Sequence, residues 1–495
     1  MNIVTMYAYG SILVRAALKP DNTSLQTVTL MGADTLVLNV TVSDPIKFQI
    51  GDYCYFFNKL YQINARPKRT IIADRKIVYN ITLESEMYDL GKVEFLFLDA
   101  NNNFTQGIFS FRGTAQDFGD LLIANMLRVY PTSNWTLGTV VESGFITTDF
   151  QPNYVTQTFN GQNCLQALKT IAGIFSTEYL VENKVINIYQ RMNASGITLK
   201  RGLNEALLSI DDSNQTNANL ITRLYAYGST KNIVANTYRN YSTHLRMGDL
   251  NYIEKNIDLY RVSEGSIVFD GTTKDKNGLA LIEIYPHFPG VVSAVDDYLN
   301  FYDTSIDFDI TAYLIPGVTA QVVFNTGLLA GYTIDIGAYN PINKKFTLNV
   351  KTSNITANQQ TTIDPTTLLP TLIIPSVTLT PAVGDKYTII NITMPPQYVA
   401  NAEAQLRTAA ANYLNQNCVP PVVYNVVCNA LYFKNNNLQL ILGQSISIND
   451  NILLINDVTR IVSYTRNVEN PYLYTMTLAN TVPPNSIINR IINGL

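Results

Sequence analysis

The stretch PIKFQIGDYCYFFNKLYQI, Pro45–Ile63, decides how the chain reads. Pro45–Ile50 runs into a Gly51-Asp52 turn, an aromatic strand covers Tyr53–Phe57, and a turn at Asn58-Lys59 returns the chain through Leu60–Ile63. Two branched and aromatic runs divided by so short a turn predict an antiparallel hairpin. Outward from it, Leu25–Val42 (LQTVTLMGADTLVLNVTV) alternates about Gly32-Ala33-Asp34, and Ile77–Glu84 alternates again. Residues 1–95 therefore predict many short strands, and a small β-barrel closes them without leaving edges.

The periodicity then changes. Thr114-Ala115-Gln116-Asp117 has the form of a capping box, and Phe118, Leu121, Leu122 and Met126 follow at helical spacing up to Pro131. A second helix is predicted over Asn163–Phe175, then strands at Glu178–Val181 and Lys184–Tyr189. Residues 96–199 thus read as an α/β domain.

Near the C-terminus, LGQSISINDNILLI (Leu442–Ile455) repeats the order apolar-Gly-polar, strand, turn, strand of Ile50–Ile63, with its turn at Asn449–Asn451 and its return strand from Ile452. Tyr225-Ala226-Tyr227-Gly228-Ser229 also repeats Tyr7-Ala8-Tyr9-Gly10-Ser11 letter for letter. These echoes predict a second small barrel, made of 200–235 and 417–495. It is interrupted by an inserted, sandwich-like all-β domain over 236–395, with strands at Ile306–Ile310, Ala320–Phe324, Thr333–Ile336 and Lys345–Val350. Within it Pro365–Pro381 carries too many prolines for a central strand and reads as an edge or connector. Residues 396–416 read as a connecting helix, with Val399, Leu406, Ala410, Tyr413 and Leu414 on one stripe.

Composition agrees with a mainly β, multidomain protein. At about 150 residues per domain, 495 residues suggest three or four. Charged residues are 15% and apolar residues 46%, so Asn, Thr, Ser, Gln and 31 Tyr supply the surface polarity, as suits lasting contact with other protein. A net charge of −4 disfavours holding nucleic acid through its phosphates. No run approaches the ~20 apolar residues of a membrane span, and the start, MNIVTMYAYGSILVR, lacks a signal-peptide pattern, which predicts a chain made soluble in a cytoplasm. Asn-x-Ser/Thr sites such as Asn22–Ser24 are those that frequent Asn and Thr generate by chance. Cys54, Cys164, Cys418 and Cys428 are too scattered for a zinc site or a disulfide framework, and read as buried thiols.

Catalytic chemistry finds little to use. His244 and His287 have no partners at triad or metal-ligand spacing, and no GxSxG, HExxH, P-loop or dinucleotide motif is present. Cys164, at a helix start, reads as an apolar filler rather than a nucleophile. The carboxylates Glu84/Glu86, Asp211/Asp212, Asp296/Asp297 and Asp303/Asp307/Asp309 could in principle form a glycosidase pair or a calcium site, but lack a calcium-loop pattern and read as solvated strand faces. No catalytic, metal or cofactor residue is assigned. The Tyr and Asn of the insert suit either a sugar-stacking surface or a protein interface.

Two phrases, Pro45–Tyr53 with Tyr61-Gln62-Ile63, and Leu220-Ile221-Thr222-Arg223-Leu224-Tyr225-Ala226-Tyr227-Gly228, resemble the tail-hub proteins of tailed bacteriophages, the tail-tip or baseplate hub also called prophage tail endopeptidase-like. Gly51, Asp52, Tyr61, Thr222, Arg223, Tyr225 and Gly228 carry the likeness, as structural residues of the pattern. The resemblance covers 1–235 and 400–485, and the insert departs from it. It implies a homotrimer with two tube-type barrels per chain, a pseudo-sixfold ring adapting a sixfold tail tube to threefold tip or fibre proteins. Implied partners are a tail tube or distal tail protein, the tape-measure protein, and tail fibres or receptor-binding proteins. DNA would transit the lumen unread at the virion tail tip, after assembly in the host cytoplasm. Relatives often add a peptidoglycan-cleaving domain, but no cleaving motif follows the second barrel here, and a non-enzymatic hub is expected. The competing expectations are a carbohydrate-binding adhesion protein acting through 236–395 and a peptidoglycan-degrading tail enzyme.

Overall fold

The computed structural model describes residues 3–98, 102–141, 154–175, 177–191, 193–213, 220–273, 281–354, 362–363, 370–420 and 422–479. The chain is mainly β and multidomain, organised around one 14-stranded sheet. Eight of its strands come from the N-terminal region: β1 (Val4–Tyr7), β2 (Val14–Leu18), β3 (Leu25–Thr29), β4 (Asp34–Val42), β5 (Tyr53–Phe56), β6 (Lys59–Gln62), β7 (Lys68–Ala73) and β8 (Lys76–Ser85). Six come from far along the chain: β9 (Ala194–Lys200), β10 (Leu207–Ser213), β11 (Val423–Cys428), β12 (Ser445–Asp450), β13 (Ile455–Asn467) and β14 (Tyr474–Ala479).

Alternation explains the curl of the first set. β4 buries Leu36, Leu38 and Val40 and turns the residues between them outward, and β8 likewise buries Tyr79, Ile81 and Leu83. Each fully buried leucine contributes about 2 kcal/mol. The strands pair in the order β1-β2, β4-β8-β6-β5-β1, and a bridge from Pro20 to Val40, with Asp21 N donating to Asn39 O (2.9 Å), brings the end of β2 beside β4. Six strands thereby close around Met6, Leu38, Cys54, Tyr61 and Ile81. β7 stands off this ring, paired among the described residues only with β8.

The second set pairs in the order β10-β11-β14-β13-β12-β9, and a single bridge, Arg201 to Leu207, brings β9 to the start of β10, leaving the rest of that β10 edge without a strand partner among the described residues. Taking strands in chain order, both rings read first-second-third-sixth-fifth-fourth. They differ in one direction: every neighbouring pair of the first ring is antiparallel, whereas β9 runs parallel to β12. Their separate cores meet where β3 pairs with β13, Leu25–Thr29 against Ser463–Asn467.

Between the two sets of strands in chain order comes an α/β unit. Helix α1 (Ala115–Val129) starts in the expected capping box of Thr114 and Asp117; α2 (Cys164–Ile174) starts in another, Asn163 with Gln166. Both pack on Phe95, Trp135 and Phe159, beside the strands Tyr179–Glu182 and Val185–Ile188. Farther on, a seven-stranded antiparallel sheet bends at Thr333–Asn340, which pairs with Gln321–Phe324 through its first half and Lys345–Leu348 through its second. The bend sets Phe301 and Phe346 (stacked, 4.8 Å) against Phe324 and Tyr387, which gives the sandwich-like core. Helix α3 (Pro396–Asn417) follows.

Several expectations are corrected. Ile306–Ile310 is no strand: Asp309 accepts from Thr311 N (2.9 Å) and caps a 3-10 turn, Ile310–Tyr313, while Ile306 and Ile310 are buried. Pro370–Ile374 is the central strand of a three-stranded sheet, which its proline permits by standing first; residues 364–369 lie outside the described residues. The β12–β13 turn falls at 451–454, two residues later than expected, because Asp450 accepts from Ile452 N and Leu453 N. Arg223–Gly228 does not join the second ring. It pairs with Ile253–Glu254 and Glu264–Phe269 and lays Leu224 and Ala226 on Leu406 and Ala410 of α3. The letter repeat with Tyr7–Ser11 therefore has no structural counterpart.

Candidate functional site: the ring turns and the ring junction

The Gly51-Asp52 turn is the first ring's knot. Gly51 has φ +92°, and a Cβ there would sit 2.5 Å from the Tyr9 ring. Its N donates to Ile63 O (2.8 Å), Ile63 N donates to Asp52 O (2.8 Å), and Asp52 N donates to Gln49 O (3.1 Å). The buried Asp52 carboxylate accepts from Tyr9 N (3.2 Å), Gln49 N (2.8 Å), and Arg15 Nε and Nη2 (3.1 and 3.2 Å). One side chain thus ties β1, β2 and the entry to β5.

The same backbone pattern recurs in the second ring. Gly443, at φ +79°, donates from N to Ile461 O (2.9 Å); Ile461 N donates to Gln444 O (3.0 Å); Gln444 N donates to Ile441 O (3.3 Å). Gly443 and Gln444 lie where Leu442–Ile455 echoes Gly51 and Asp52, whereas Ile461, the counterpart of Ile63, lies beyond the echoed stretch. The side-chain support differs, however. Arg460 Nε donates to Gly443 O (3.1 Å), while its Nη1 and Nη2 donate to Glu178 Oε1 and Oε2 (2.9 and 2.8 Å), a bidentate pair that fastens the second ring to the α/β unit.

Tyr61 belongs to the junction of the rings. Its buried hydroxyl donates to Asp34 Oδ1 (2.8 Å) and accepts from Gln26 Nε2 (2.6 Å), and Lys59 also pairs with Asp34. Burial, aided by the charge of Asp34, holds that hydroxyl well above its ordinary pKa, so it stays a donor. Gln26 stands opposite Arg466 across β3 and β13. The Arg466 guanidinium lies 3.8 Å from the ring centre of Phe57, from the first ring, and 4.8 Å from that of Tyr474, from the second. Nothing local in the sequence marks Arg460, Glu178 or Arg466, because their partners are brought by the fold.

The other pattern residues secure the small sheet beside α3. Thr222 is buried, its Oγ1 donating to Arg261 O (2.7 Å) and accepting from Ser263 N (2.7 Å). Arg223 pairs with Glu254 and Glu264 and lies 4.7 Å from the Tyr252 ring centre, and Tyr225 donates to Glu264 Oε1 (3.1 Å). A Cβ at Gly228 would stand 2.6 Å from Ile284 O, so the close approach of that backbone requires glycine.

Several of the ionisable groups weighed for catalysis are engaged in the fold. Asp303, expected on a solvated face, is instead fully buried, accepting from Tyr387 OH (2.8 Å) and Val291 N (3.0 Å). Asp307 accepts from Gln397 Nε2 and Tyr398 OH, and Asp296 pairs with Lys345. His287 packs against Tyr285, and burial pushes its imidazole below the ordinary value. Among the described residues, no three His, Cys, Asp or Glu side chains gather as a metal site. No helix there is long and apolar enough to cross a membrane.

All four cysteines are free and buried, and burial pushes the Cys54 and Cys164 thiols up to about 12. Iodoacetamide at about pH 8, which needs thiolate, is expected to label none of them in the folded chain and all four in denaturant. Fast native labelling of Cys164 would restore it as a nucleophile.

No protein-family model matches the chain, and no curated protein matches it significantly. Solved structures of prophage tail proteins are similar to it. The prophage tail protein gp18 of Listeria monocytogenes EGD-e is similar over 99% of this chain and 99% of its own, at 9% identity and a TM-score of 0.46. The 43 kDa tail protein of prophage MuSo2 from Shewanella oneidensis is similar over 96% and 97%, at 8% identity and 0.43. The tail protein from Neisseria meningitidis MC58 is similar over 96% and 96%, at 7% identity and 0.43.

Proposed function

We propose that this chain is a non-enzymatic structural hub of a bacteriophage tail tip, a homotrimer whose six barrels form a pseudo-sixfold ring around the DNA-ejection channel. The observation that carries the reading is internal: one chain builds two six-stranded rings with the same strand order and the same glycine turn, fused side by side through β3 and β13. Repeating a ring within the chain lets a threefold assembly offer six similar surfaces, so one face matches a sixfold tube and the other a threefold tip. The natural partners are the tube or distal tail protein, the tape-measure protein and the fibres or receptor-binding proteins, at the tip of the virion tail.

The solution mass of the full chain tests this. Light scattering at micromolar concentration is expected to give three times 55.2 kDa. A chain that remains monomeric, also beside its tube protein, contradicts the hub.

One observation favours a second reading, carbohydrate binding. A groove of about 510 Å³ is lined by Tyr225, Tyr227, Tyr252, Asn240, Asn251 and Arg246, rings and amides of the kind that stack on and hydrogen-bond sugars. Sugar-dependent binding on a glycan array, lost in Tyr227→Ala, would favour adhesion. The peptidoglycan-degrading alternative draws no comparable support, since Asp296, Asp303, Asp307 and Asp309 serve as pairs, acceptors and caps.

A further inference from the structure

The first ring carries an arm that its own fold leaves bare. Among the described residues β7 pairs only with β8, and all six of its residues are exposed, Ile71 to 76% and Ile72 to 55%. Successive residues of a strand point to opposite faces, so both faces of the arm present isoleucine. Around them, RPKRTIIADRK places Arg66, Lys68, Arg69, Arg75 and Lys76 against a single acid, Asp74, in a chain of net charge −4. None of these cations makes an ion pair among the described residues.

β10 presents the complementary edge. It pairs with β11 on one side, and on the other, among the described residues, has only the bridge between Arg201 and Leu207. Leu208 is 52% exposed, and Asp211 and Asp212 are exposed without ion pairs among the described residues. Six strands separate β10 from β7 in the sheet.

We propose that the β7 arm of one copy docks along the β10 edge of a second copy, Lys68 and Arg69 meeting Asp211 and Asp212 while Ile71 and Ile72 are buried beside Leu208. The inference rests on the trimer reading and names its interface. An exposed, apolar strand edge is a template for pairing with another chain. Two different patches, one basic and one acidic, make a head-to-tail contact, which closes into a ring when its rotation does. Paired isoleucines on both faces suit protein better than nucleic acid phosphates.

Charge exchange in the full chain tests it. Lys68→Glu/Arg69→Glu and Asp211→Lys/Asp212→Lys are each expected to weaken association roughly a hundredfold, by setting like charges together, and to move the light-scattering mass from three copies to one. All four substitutions together restore the trimer. The altered side chains are exposed, so unchanged thermal midpoints show that folding is intact. A trimer that survives either reversal overturns the arm but leaves the hub standing; a monomeric wild type overturns both. Unchanged mass with lost retention of mixed-sequence duplex DNA after the arm reversal would instead make β7 a phosphate-binding element.

Discussion

Glu178→Gln is expected to cost about 3–5 kcal/mol of stability, because it leaves Arg460 charged and buried without its partner. The two side chains are only 5% and 6% exposed, so water cannot replace the lost contact. The chain has one tryptophan, Trp135, in the α/β core that also takes in Tyr179, so its fluorescence reports unfolding of the unit that Glu178 anchors. The denaturation midpoint read from Trp135 should fall clearly. Glu178→Met combined with Arg460→Met should recover much of the loss, since an apolar pair of similar volume avoids the desolvation cost. An unchanged midpoint for Glu178→Gln would mean that the pair fastens nothing.

Asp52→Ala is the second large effect, expected at about 3 kcal/mol, since two main-chain N–H groups and the Arg15 guanidinium lose a buried acceptor together. Gln444→Ala, at the matching position of the second ring, should stay within about 0.5 kcal/mol, because that turn uses the backbone of Gln444 and not its side chain. Denaturation curves of the two variants distinguish the positions. Equal losses would mean that the turns are supported alike, against the different contacts of Asp52 and Arg460.

What was legible in the sequence was local. The capping box at Thr114, the helix from Asn163, the hairpin at Tyr53–Gln62 and the α3 stripe follow from spacing within a few residues, and each forms. The Leu442–Ile455 echo located Gly443 correctly, because a left-handed turn before a strand demands glycine wherever it occurs. Alternation misled at Ile306–Ile310, where buried isoleucines at both ends suit a capped loop as well as a strand, and at Arg223–Gly228, whose alternation marks a strand without saying which sheet receives it. The Arg460–Glu178 pair spans 282 positions, and the meeting of Gln26 with Arg466 depends on two rings fusing, so neither leaves a local trace.

The doubled ring is tested most directly by the end-on electron-microscopy average of the purified assembly. Six lobes alternating in two kinds around an open or plugged centre, with threefold symmetry, are expected from three chains of two rings each. Three lobes alone, or a particle with twofold symmetry, would contradict it.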